Sequence, residues 1–286
     1  MNRARLLCVG LLLLTACGRK VEAPPDHPRL TPNVTLRDVT FHSAALNRDM
    51  RYRAVFPAGI PAGRKLPCIY LLHGGGGTFR DWSNYFDVSP LAERGFVLIM
   101  PQGDYSYYTN SAARPQDRYE DYIVDDLIAN VERQFPAAPG RPNRAIAGVS
   151  MGGFGALNLS LRHPDLFAFA GAISPAIDVP SRPFAIRRIG QWRDFRAIFG
   201  PWGGPSQREN DPLILARSAD PAAAPYMFVS CGNQEGLLAS NRQFADILEH
   251  RHFRYEFHIV EGGHNWIQFN RTVPSLCNSL TEHFHQ

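Results

Sequence analysis

The sequence predicts an α/β fold with a mostly parallel central sheet, an antiparallel N-terminal edge and helices on both faces. Short apolar runs of strand length alternate with helix-length stretches along the chain, which is typical of a parallel sheet covered on both faces. Near the start, the runs VTLRDVTF and RYRAVF instead alternate apolar and polar residues, as half-buried strands do. We therefore expect these two segments to pair as an antiparallel hairpin or meander at one edge of the sheet.

The remaining elements follow from the same patterns. Buried strands are predicted at residues 68–72, 96–100, 144–149, 169–174, 226–230 and 255–260, where apolar residues are nearly continuous. Residues 120–135 and 240–252 each place apolar side chains on one helical face, with Ser240 as a candidate N-cap of the second helix. Residues 176–215 interrupt this rhythm and are rich in Arg, Trp, Phe and Pro. They are interpreted either as cover for the sheet edge or as a lid insertion facing the substrate.

The N-terminus predicts export. Residues 1–16 form a signal peptide, because a short basic head precedes an apolar run at residues 6–14 that is too short to span a membrane. The tetrad ending at Cys17 resembles a bacterial lipobox, which implies cleavage before Cys17 and a diacylglycerol on its sulfur. Gly18, rather than Asp, then favours the outer membrane, facing periplasm or surface. The alternative is an ordinary signal and a soluble periplasmic or secreted protein.

The segment after the signal peptide is polar and proline-rich. Residues 17–32 therefore predict a flexible tether to a folded domain at 33–286.

Composition excludes several other classes of function. The formal net charge is only +4, and no basic run is interleaved with aromatic residues, so we expect no nucleic-acid partner. The sequence contains no H-E-x-x-H, and its histidines do not fall at ligand spacing, so we expect no metal and no cofactor. Cys68, Cys231 and Cys277 follow the signal region and leave open a single unassigned disulfide.

The stretch RAIAGVSMGG predicts a nucleophile. It contains G-x-S-x-G at Gly148, Ser150 and Gly152, between a predicted strand and a predicted helix. In that setting the serine lies on a sharp, strained turn that lifts its hydroxyl above the sheet. The backbone N–H of Met151 then lies at the helix start, where it favours a developing negative charge.

A glycine-rich loop, HGGGG at residues 73–77, follows the strand at 68–72. Glycines allow the backbone to bend so that an N–H points at a reacting carbonyl, and Gly75 is the expected donor, with Gly74 next. A phosphate-binding loop is the competing interpretation, but no Gly-Lys-Ser/Thr follows. His73 is expected to brace the loop rather than to move protons.

A serine nucleophile needs a base, and the base needs an acid, in the chain order serine, acid, histidine. His264, in the glycine-bent loop VEGGHNW after the last predicted strand, is the candidate base. Glu235, in CGNQEG after the strand at 226–230, is the candidate acid that would fix the imidazole tautomer. Asp220 and Asp246 are weaker rivals, because one precedes that strand and the other falls within a predicted helix.

These segments together resemble the esterase D / putative esterase family of α/β-hydrolases over residues 45–280. The segments that carry the resemblance are LLHGGGGTFRDW, MPQGDYSYYTN, YEDYIVDDLIANVERQF, RAIAGVSMGGFGALNLSLRHPDLF, CGNQEGLLASNRQF and GGHNW. The resemblance implies an α/β-hydrolase fold, with Ser150 as nucleophile, His264 as base and the N–H groups of Gly75 and Met151 as the oxyanion hole. Members usually carry Asp where this chain has Glu235, and often Asp where it has Asn110.

The sequence therefore predicts a serine carboxylic-ester hydrolase that acts through an acyl-serine intermediate on a small-molecule or carbohydrate-linked ester. S-formylglutathione is disfavoured as substrate, because it is cytosolic and this chain is predicted to be exported. Two alternatives remain open. One is a mycolyltransferase-like acyltransferase that uses the same residues. The other is a non-catalytic binding protein, which would be expected to have lost Ser150 or His264.

Overall fold

A computed structural model describes residues 25–183 and 189–285. An eight-stranded sheet with the order β1-β2-β4-β3-β5-β6-β7-β8 forms the centre of this part of the chain. Its strands are β1 Val34–Ser43, β2 Arg48–Pro57, β3 Cys68–Leu72, β4 Val97–Pro101, β5 Arg144–Val149, β6 Phe169–Ile173, β7 Tyr226–Gly232 and β8 Tyr255–Val260. β1 pairs antiparallel with β2, and β2 with β4, whereas β4, β3, β5, β6, β7 and β8 are parallel. The predicted fold class, including its antiparallel N-terminal edge, is confirmed.

Helices connect and cover the strands. Their bounds are α1 Asp81–Tyr85, α2 Ser89–Glu93, α3 Tyr119–Asp121, α4 Ile128–Gln134, α5 Met151–Arg162, α6 Ile189–Phe199, α7 Pro205–Glu209, α8 Pro212–Ser218, α9 Leu238–His250 and α10 Trp266–Phe284. A π-helical segment, Tyr122–Leu127, joins α3 to α4, so the helix predicted at 120–135 is present but not regular throughout. None of the helices in the described ranges combines the length and apolar character needed to cross a bilayer.

The central strands are buried on both faces. In β3, Tyr70 and Leu72 belong to one apolar cluster, which also contains Phe154 and Leu157 of α5. Ile69 and Leu71 face a second cluster, which contains Val273 and Leu276 of α10. Because successive side chains of a strand point to opposite faces, a strand covered on both sides must be apolar at every position. This is why the sequence shows continuous apolar runs rather than alternation.

The start of α9 differs from the sequence prediction. The helix begins at Leu238 with Leu237 as N-cap, and no side chain caps it. Ser240 therefore lies inside the first turn, where its hydroxyl donates to the carbonyl of Leu237, and its prediction as N-cap was wrong. Leu237 is partly buried and packs against the apolar core.

The predicted signal peptide at residues 1–16 and the predicted lipid-attachment residue Cys17 lie outside the described residues. The described part of the predicted tether, residues 25–32, contacts the folded domain. Asp26 accepts two hydrogen bonds from the buried guanidinium of Arg53, at 2.9 and 2.6 Å. The backbone N–H of Thr31 donates to Ser89 at 2.9 Å. The boundary at residue 33 stays a prediction, but the chain is already held against the domain from Asp26 onward.

Candidate active site

Ser150 lies on a strained turn between β5 and α5. Its backbone has φ 56° and ψ −113°, in a region that non-glycine residues rarely occupy. The turn is held by its neighbours: the N–H of Ser150 donates to Ile173 at 2.8 Å, and its carbonyl accepts from Phe154 at 3.0 Å. The surrounding structure therefore fixes a conformation that is unfavourable by itself, as expected for a nucleophile elbow.

Close backbone contacts explain the glycines on either side of this serine. A Cβ atom on Gly148 would lie 2.3 Å from the carbonyl carbon of Gly152. A Cβ atom on Gly152 would lie 2.3 Å from the carbonyl oxygen of Leu72 at the end of β3. Any side chain at these two positions would force β5, α5 and β3 apart.

The structure brings Ser150, His264 and Glu235 together. The Oγ of Ser150 lies 2.8 Å from Nε2 of His264, and Nδ1 of His264 lies 2.7 Å from Oε2 of Glu235. These residues follow the carboxyl ends of β5, β8 and β7, which meet at one edge of the parallel sheet. The glutamate and the histidine thus reach the serine across a long stretch of intervening sequence.

The carboxylate of Glu235 is fully buried and well satisfied. Its side chain has no exposed surface, and its Oε1 accepts from the N–H of Gly232 at 2.8 Å and from the hydroxyl of Ser174 at 2.6 Å. Burial acts to raise the pKa of Glu235, but the hydrogen bonds from His264, Ser174 and Gly232 outweigh it and hold the pKa below its ordinary value. Glu235 is therefore ionised at neutral pH.

Sequence reasoning missed Ser174 and Gln268, which lie behind the glutamate. Ser174 follows β6 with a left-handed φ of 48°, and its N–H donates to Ser230 of β7 at 2.7 Å. The Oε1 of Gln268 lies 3.3 Å from the hydroxyl of Ser174. One available signal was that Ser174 is a polar residue at the carboxyl end of a strand neighbouring the nucleophile strand, where sites of open α/β sheets form.

Neither rival acid takes part in this cluster. Asp220 is exposed before β7, and its Oδ1 accepts from the N–H of Ala222 at 3.0 Å. Asp246 is exposed on α9, where its backbone carbonyl contacts the ring of His250. Of the three acids considered from the sequence, Glu235 is the one in contact with His264.

The two predicted oxyanion donors lie beside the nucleophile. Met151 is the first residue of α5, where a backbone N–H has no acceptor within its own helix. A Cβ atom on Gly74 would lie 3.6 Å from the Cβ of Ser150, and one on Gly75 would lie 3.9 Å from the Cβ of Met151. The glycine-rich loop therefore packs directly against the elbow, and Gly75 lines the same cavity as Ser150 and Met151.

His73 braces that loop. Its Nε2 accepts a hydrogen bond from the N–H of Gly103 at 2.9 Å, so the ring proton is on Nδ1, which donates to the carbonyl of Gly74 at 2.8 Å. Burial lowers the pKa of His73. A neutral, buried imidazole with both nitrogens occupied is suited to holding two loops together rather than to proton transfer.

A cavity of about 530 Å³ opens beside Ser150 and His264. Gly75, Met151, Tyr105 and Tyr107 form one side, and Gly236 and Leu237 lie near the histidine. The remaining wall comes from the segment predicted as cover or lid and consists of Ala176, Asp178, Val179, Arg182 and Gln191. The described beginning of residues 176–215, up to Gln191, therefore contributes to the cavity wall. Whether it moves as a lid stays a prediction.

Three cysteines lie in the described ranges, and none of them forms a disulfide. Cys68, Cys231 and Cys277 are all buried free thiols. Across residues 25–183 and 189–285, no group of three or more His, Cys, Asp or Glu side chains is placed to hold a metal ion.

The chain is similar to known esterases in sequence and in fold. The profile of the family described as "Putative esterase" matches residues 43–277. The chain is 24% identical over 264 residues to an acetyl esterase from Caldicellulosiruptor saccharolyticus, covering 87% of this chain and 99% of the relative. It is 25% identical over 271 residues to the diacylglycerol acyltransferase/mycolyltransferase Ag85A of Mycobacterium leprae, covering 87% and 78%.

A solved structure of a ferulic acid esterase superposes with a TM-score of 0.76 at 25% identity, covering 88% of this chain and 99% of that one. The chain therefore belongs to the putative esterase family, and it is a carboxylic ester hydrolase with the α/β-hydrolase fold.

Proposed function

We propose that Ser150, His264 and Glu235 form a catalytic triad that hydrolyses carboxylic esters through an acyl-serine. The observation that supports this proposal is the continuous hydrogen-bond chain from hydroxyl to imidazole to buried carboxylate, with distances of 2.8 and 2.7 Å. Glu235 keeps the Nδ1 proton in place, so Nε2 of His264 is the acceptor that faces the serine hydroxyl.

In the first half of the reaction, Ser150 attacks the ester carbonyl while His264 takes its proton. The negative charge that develops on the carbonyl oxygen is bound by the N–H groups of Gly75 and Met151. The imidazolium is stabilised by the ionised Glu235 and gives its proton to the departing alcohol. The products of this half are a free alcohol and an acyl group on Ser150.

In the second half, a water molecule takes the place of the alcohol. His264 removes a proton from that water, and the resulting attack on the acyl-serine forms a second oxyanion on the same two donors. Collapse of this intermediate returns the proton from the imidazolium to Ser150 Oγ and releases the carboxylic acid.

The experiment that tests this proposal is hydrolysis of 4-nitrophenyl acetate by Ser150→Ala. Loss of the nucleophile is expected to reduce kcat by about 10⁶-fold, as for other triad serines. Ser160→Ala is a matched control, because Ser160 lies in α5 and its hydroxyl donates to Leu157 rather than to the triad. If Ser150→Ala kept most of its activity while remaining folded by circular dichroism, the assignment would be wrong.

For the substrate, we propose esters of small acids, such as acetyl or feruloyl esters. The relatives named acetyl esterase and ferulic acid esterase support this choice. So does a cavity of about 530 Å³ with two tyrosines in its wall, which has room for an aromatic acyl group. Kinetics with a series of nitrophenyl esters of increasing acyl length, together with a feruloyl ester, measures the preference directly.

Acyl transfer is the second candidate. A relative named as an acyltransferase supports it, and 39% of the His264 side chain is exposed, so a second alcohol has access to the base. The residues would be the same, with an acceptor hydroxyl replacing water at the acyl-serine. Product analysis by mass spectrometry, with and without a candidate acceptor alcohol, distinguishes transfer from hydrolysis.

We also propose that the chain is exported and anchored at the outer membrane through a lipid on Cys17. The basic head, apolar run and lipobox-like tetrad of residues 1–17 support this proposal. Metabolic labelling with an alkyne fatty acid tests it, because a label on the wild type that is absent from Cys17→Ser means that lipid attachment depends on Cys17. A secreted, unlabelled product would instead support the alternative of an ordinary signal.

A further inference from the structure

A second, smaller cavity of about 220 Å³ lies next to the one at Ser150. The ring of Tyr105, which is 37% exposed, borders both cavities. Apart from Tyr105 and Ile198, the lining of the second cavity is polar and includes Arg48, Asp104, Arg114, Asp117 and Tyr119. A group that is attached to an ester carbonyl at Ser150 and passes Tyr105 therefore enters a polar space.

The charges in this second cavity are balanced. Arg48 pairs with Asp104 at 2.8 Å, and Arg114 pairs with Asp117 at 3.1 Å. The hydroxyl of Tyr119 contacts both Arg48 and Asp104. Each guanidinium carries five N–H donors, and each carboxylate carries several lone pairs, so these pairs leave donors and acceptors available to a ligand.

The loop between the two cavities is held in a strained shape. Asp104, Tyr107 and Tyr108 all have left-handed φ values, between 46° and 56°. The hydroxyl of Ser106 donates to the carbonyl of Gly103 at 2.6 Å, and the Tyr108 hydroxyl donates to the carbonyl of His73 at 3.0 Å. Three strained residues in one short loop are unfavourable unless the surroundings impose them, and such strain is concentrated at functional sites.

We propose that this second cavity binds the alcohol part of the ester and that this alcohol is an uncharged polyhydroxyl group, such as a sugar ring. The inference rests on the proposed ester hydrolysis at Ser150. It adds a binding site, formed by Arg48, Asp104, Arg114 and Asp117, for the part of the substrate that leaves.

The chemistry of the lining selects this class of ligand. In each ion pair an anion or a cation meets one attractive and one repulsive charge, whereas hydroxyl groups can donate to the carboxylates and accept from the guanidinium groups with both pairs intact. An apolar alcohol would leave these partly buried polar groups without water or ligand. The face of Tyr105 provides the apolar surface on which the C–H face of a sugar ring can pack.

The test compares two acetate esters that differ only in the alcohol: methyl 6-O-acetyl-glucopyranoside and cyclohexylmethyl acetate. Both release acetate from a primary ester next to a six-membered ring, but only the first has hydroxyl groups on the ring. We expect wild-type kcat/KM to favour the sugar ester by at least about tenfold, as expected for a site built around charged hydrogen-bond partners. Arg114→Ala and Asp117→Ala should each reduce that ratio by about tenfold.

Arg118→Ala is the matched control. Arg118 belongs to the same stretch of chain and also pairs with an aspartate three residues later, Asp121, but it does not line the cavity. Its ratio should equal that of the wild type. A wild-type ratio near one, or a ratio unchanged by both Arg114→Ala and Asp117→Ala, overturns the proposal.

Turnover of 4-nitrophenyl acetate separates this outcome from failure of the triad. If the wild type does not hydrolyse that ester, the proposed catalysis at Ser150 is wrong. Calorimetric titration of the sugar ester into Ser150→Ala tests the cavity independently of turnover. Binding that is lost in Ser150→Ala/Arg114→Ala supports the site, whereas no binding to Ser150→Ala, or equal binding by both proteins, overturns it.

Discussion

Two buried glutamates in this molecule each contact a histidine, and only one of the two pairs faces a nucleophile. Glu120 accepts from His163 at 2.7 Å, and Glu235 accepts from His264 at the same distance. The two carboxylates are almost equally buried, with 4% and 0% of their side chains exposed. Distance and burial alone therefore do not distinguish a structural pair from a catalytic one.

The first difference is which ring nitrogen contacts the carboxylate. His163 uses Nε2 for Glu120, whereas His264 uses Nδ1 for Glu235 and leaves Nε2 for the hydroxyl of Ser150. The Nε2 atom of the imidazole thus faces a nucleophile only in the second pair. A triad requires this orientation, because the base must contact the serine and the acid through opposite nitrogens.

The second difference is what balances the carboxylate. Glu120 also accepts from the guanidinium of Arg162 at 3.0 Å, so a full positive charge already neutralises it. Glu235 receives neutral donors instead, from the hydroxyl of Ser174 and the N–H of Gly232. These dipoles keep Glu235 ionised without neutralising it, so its charge is available to stabilise an imidazolium on His264.

The largest expected effect is the difference in kcat between variants of the two histidines. His264→Ala should lower kcat for 4-nitrophenyl acetate by about 10⁶-fold, because the serine loses its base. His163→Ala should leave kcat within about threefold, because His163 follows α5 at the end opposite Ser150 and its contact affects stability rather than chemistry. Steady-state kinetics on both variants measures this difference. A loss of activity in His163→Ala comparable with that in His264→Ala would mean that the His163–Glu120 pair is not purely structural.

The next effect concerns the two acids. Glu235→Gln should lower kcat by about 10⁴-fold, since a neutral amide no longer fixes the tautomer or stabilises the imidazolium. Glu120→Gln should instead lower the unfolding temperature by a few degrees, corresponding to about 1–3 kcal/mol for a weakened buried charged hydrogen-bond group.

The control for the acids is Asp246→Asn, because Asp246 is exposed on α9 and was the rival candidate. Its kcat should match the wild type in the same ester assay. A stronger loss in Asp246→Asn than in Glu235→Gln would reassign the acid.

The parts of the site that sequence could predict are those set by local geometry. Ser150 has a fixed spacing to Gly148 and Gly152, and this spacing is required because the backbones of β5, α5 and β3 nearly touch there. His264 and Glu235 follow predicted strands, and parallel strands bring their carboxyl ends to one edge. Continuous apolar runs predicted these strands, because a strand that is covered on both faces must be apolar at nearly every position.

The missed parts depend on contacts between distant segments. Ser174 reaches Glu235 only because β6 lies beside β7 in the sheet, and a serine after a strand has no motif that reveals its partner. The sequence predicts that Asp26 belongs to a flexible tether, because its neighbours are polar and proline-rich. Asp26 contacts the guanidinium of Arg53, a residue of β2 that is completely buried. No local sequence pattern predicts that an arginine is buried.

A smaller effect is expected from the hydroxyl behind Glu235. Ser174→Ala should reduce kcat by about tenfold with little change in KM, because a buried carboxylate that loses one hydrogen bond is held less firmly against His264. Ser174 is a positioning residue, so this split between kcat and KM is the readout that a purely structural role would not give.

Ser174→Gly makes that test sharper. Both substitutions remove the hydroxyl, but glycine also relieves the left-handed backbone at φ 48°. If the hydroxyl matters, the two variants should lose the same activity even though Ser174→Gly is the more stable by thermal unfolding. Activity that follows stability instead would assign the effect to the backbone.

The smallest effect is the contribution of Glu120 to the pH dependence of stability. For Glu120, burial acts to raise the pKa, but hydrogen bonds and charges from His163 and Arg162 outweigh it and hold the pKa below the ordinary value of 4.5. A carboxyl whose pKa is lower in the folded than in the unfolded protein contributes stability above its unfolded pKa. That contribution is lost as pH falls from about 4.5 through the folded pKa. Since Glu120→Gln has no such group, its unfolding temperature should fall less steeply over this range than that of the wild type. Parallel slopes of unfolding temperature against pH for the two proteins would mean that the arginine and the histidine do not stabilise Glu120 through its charge.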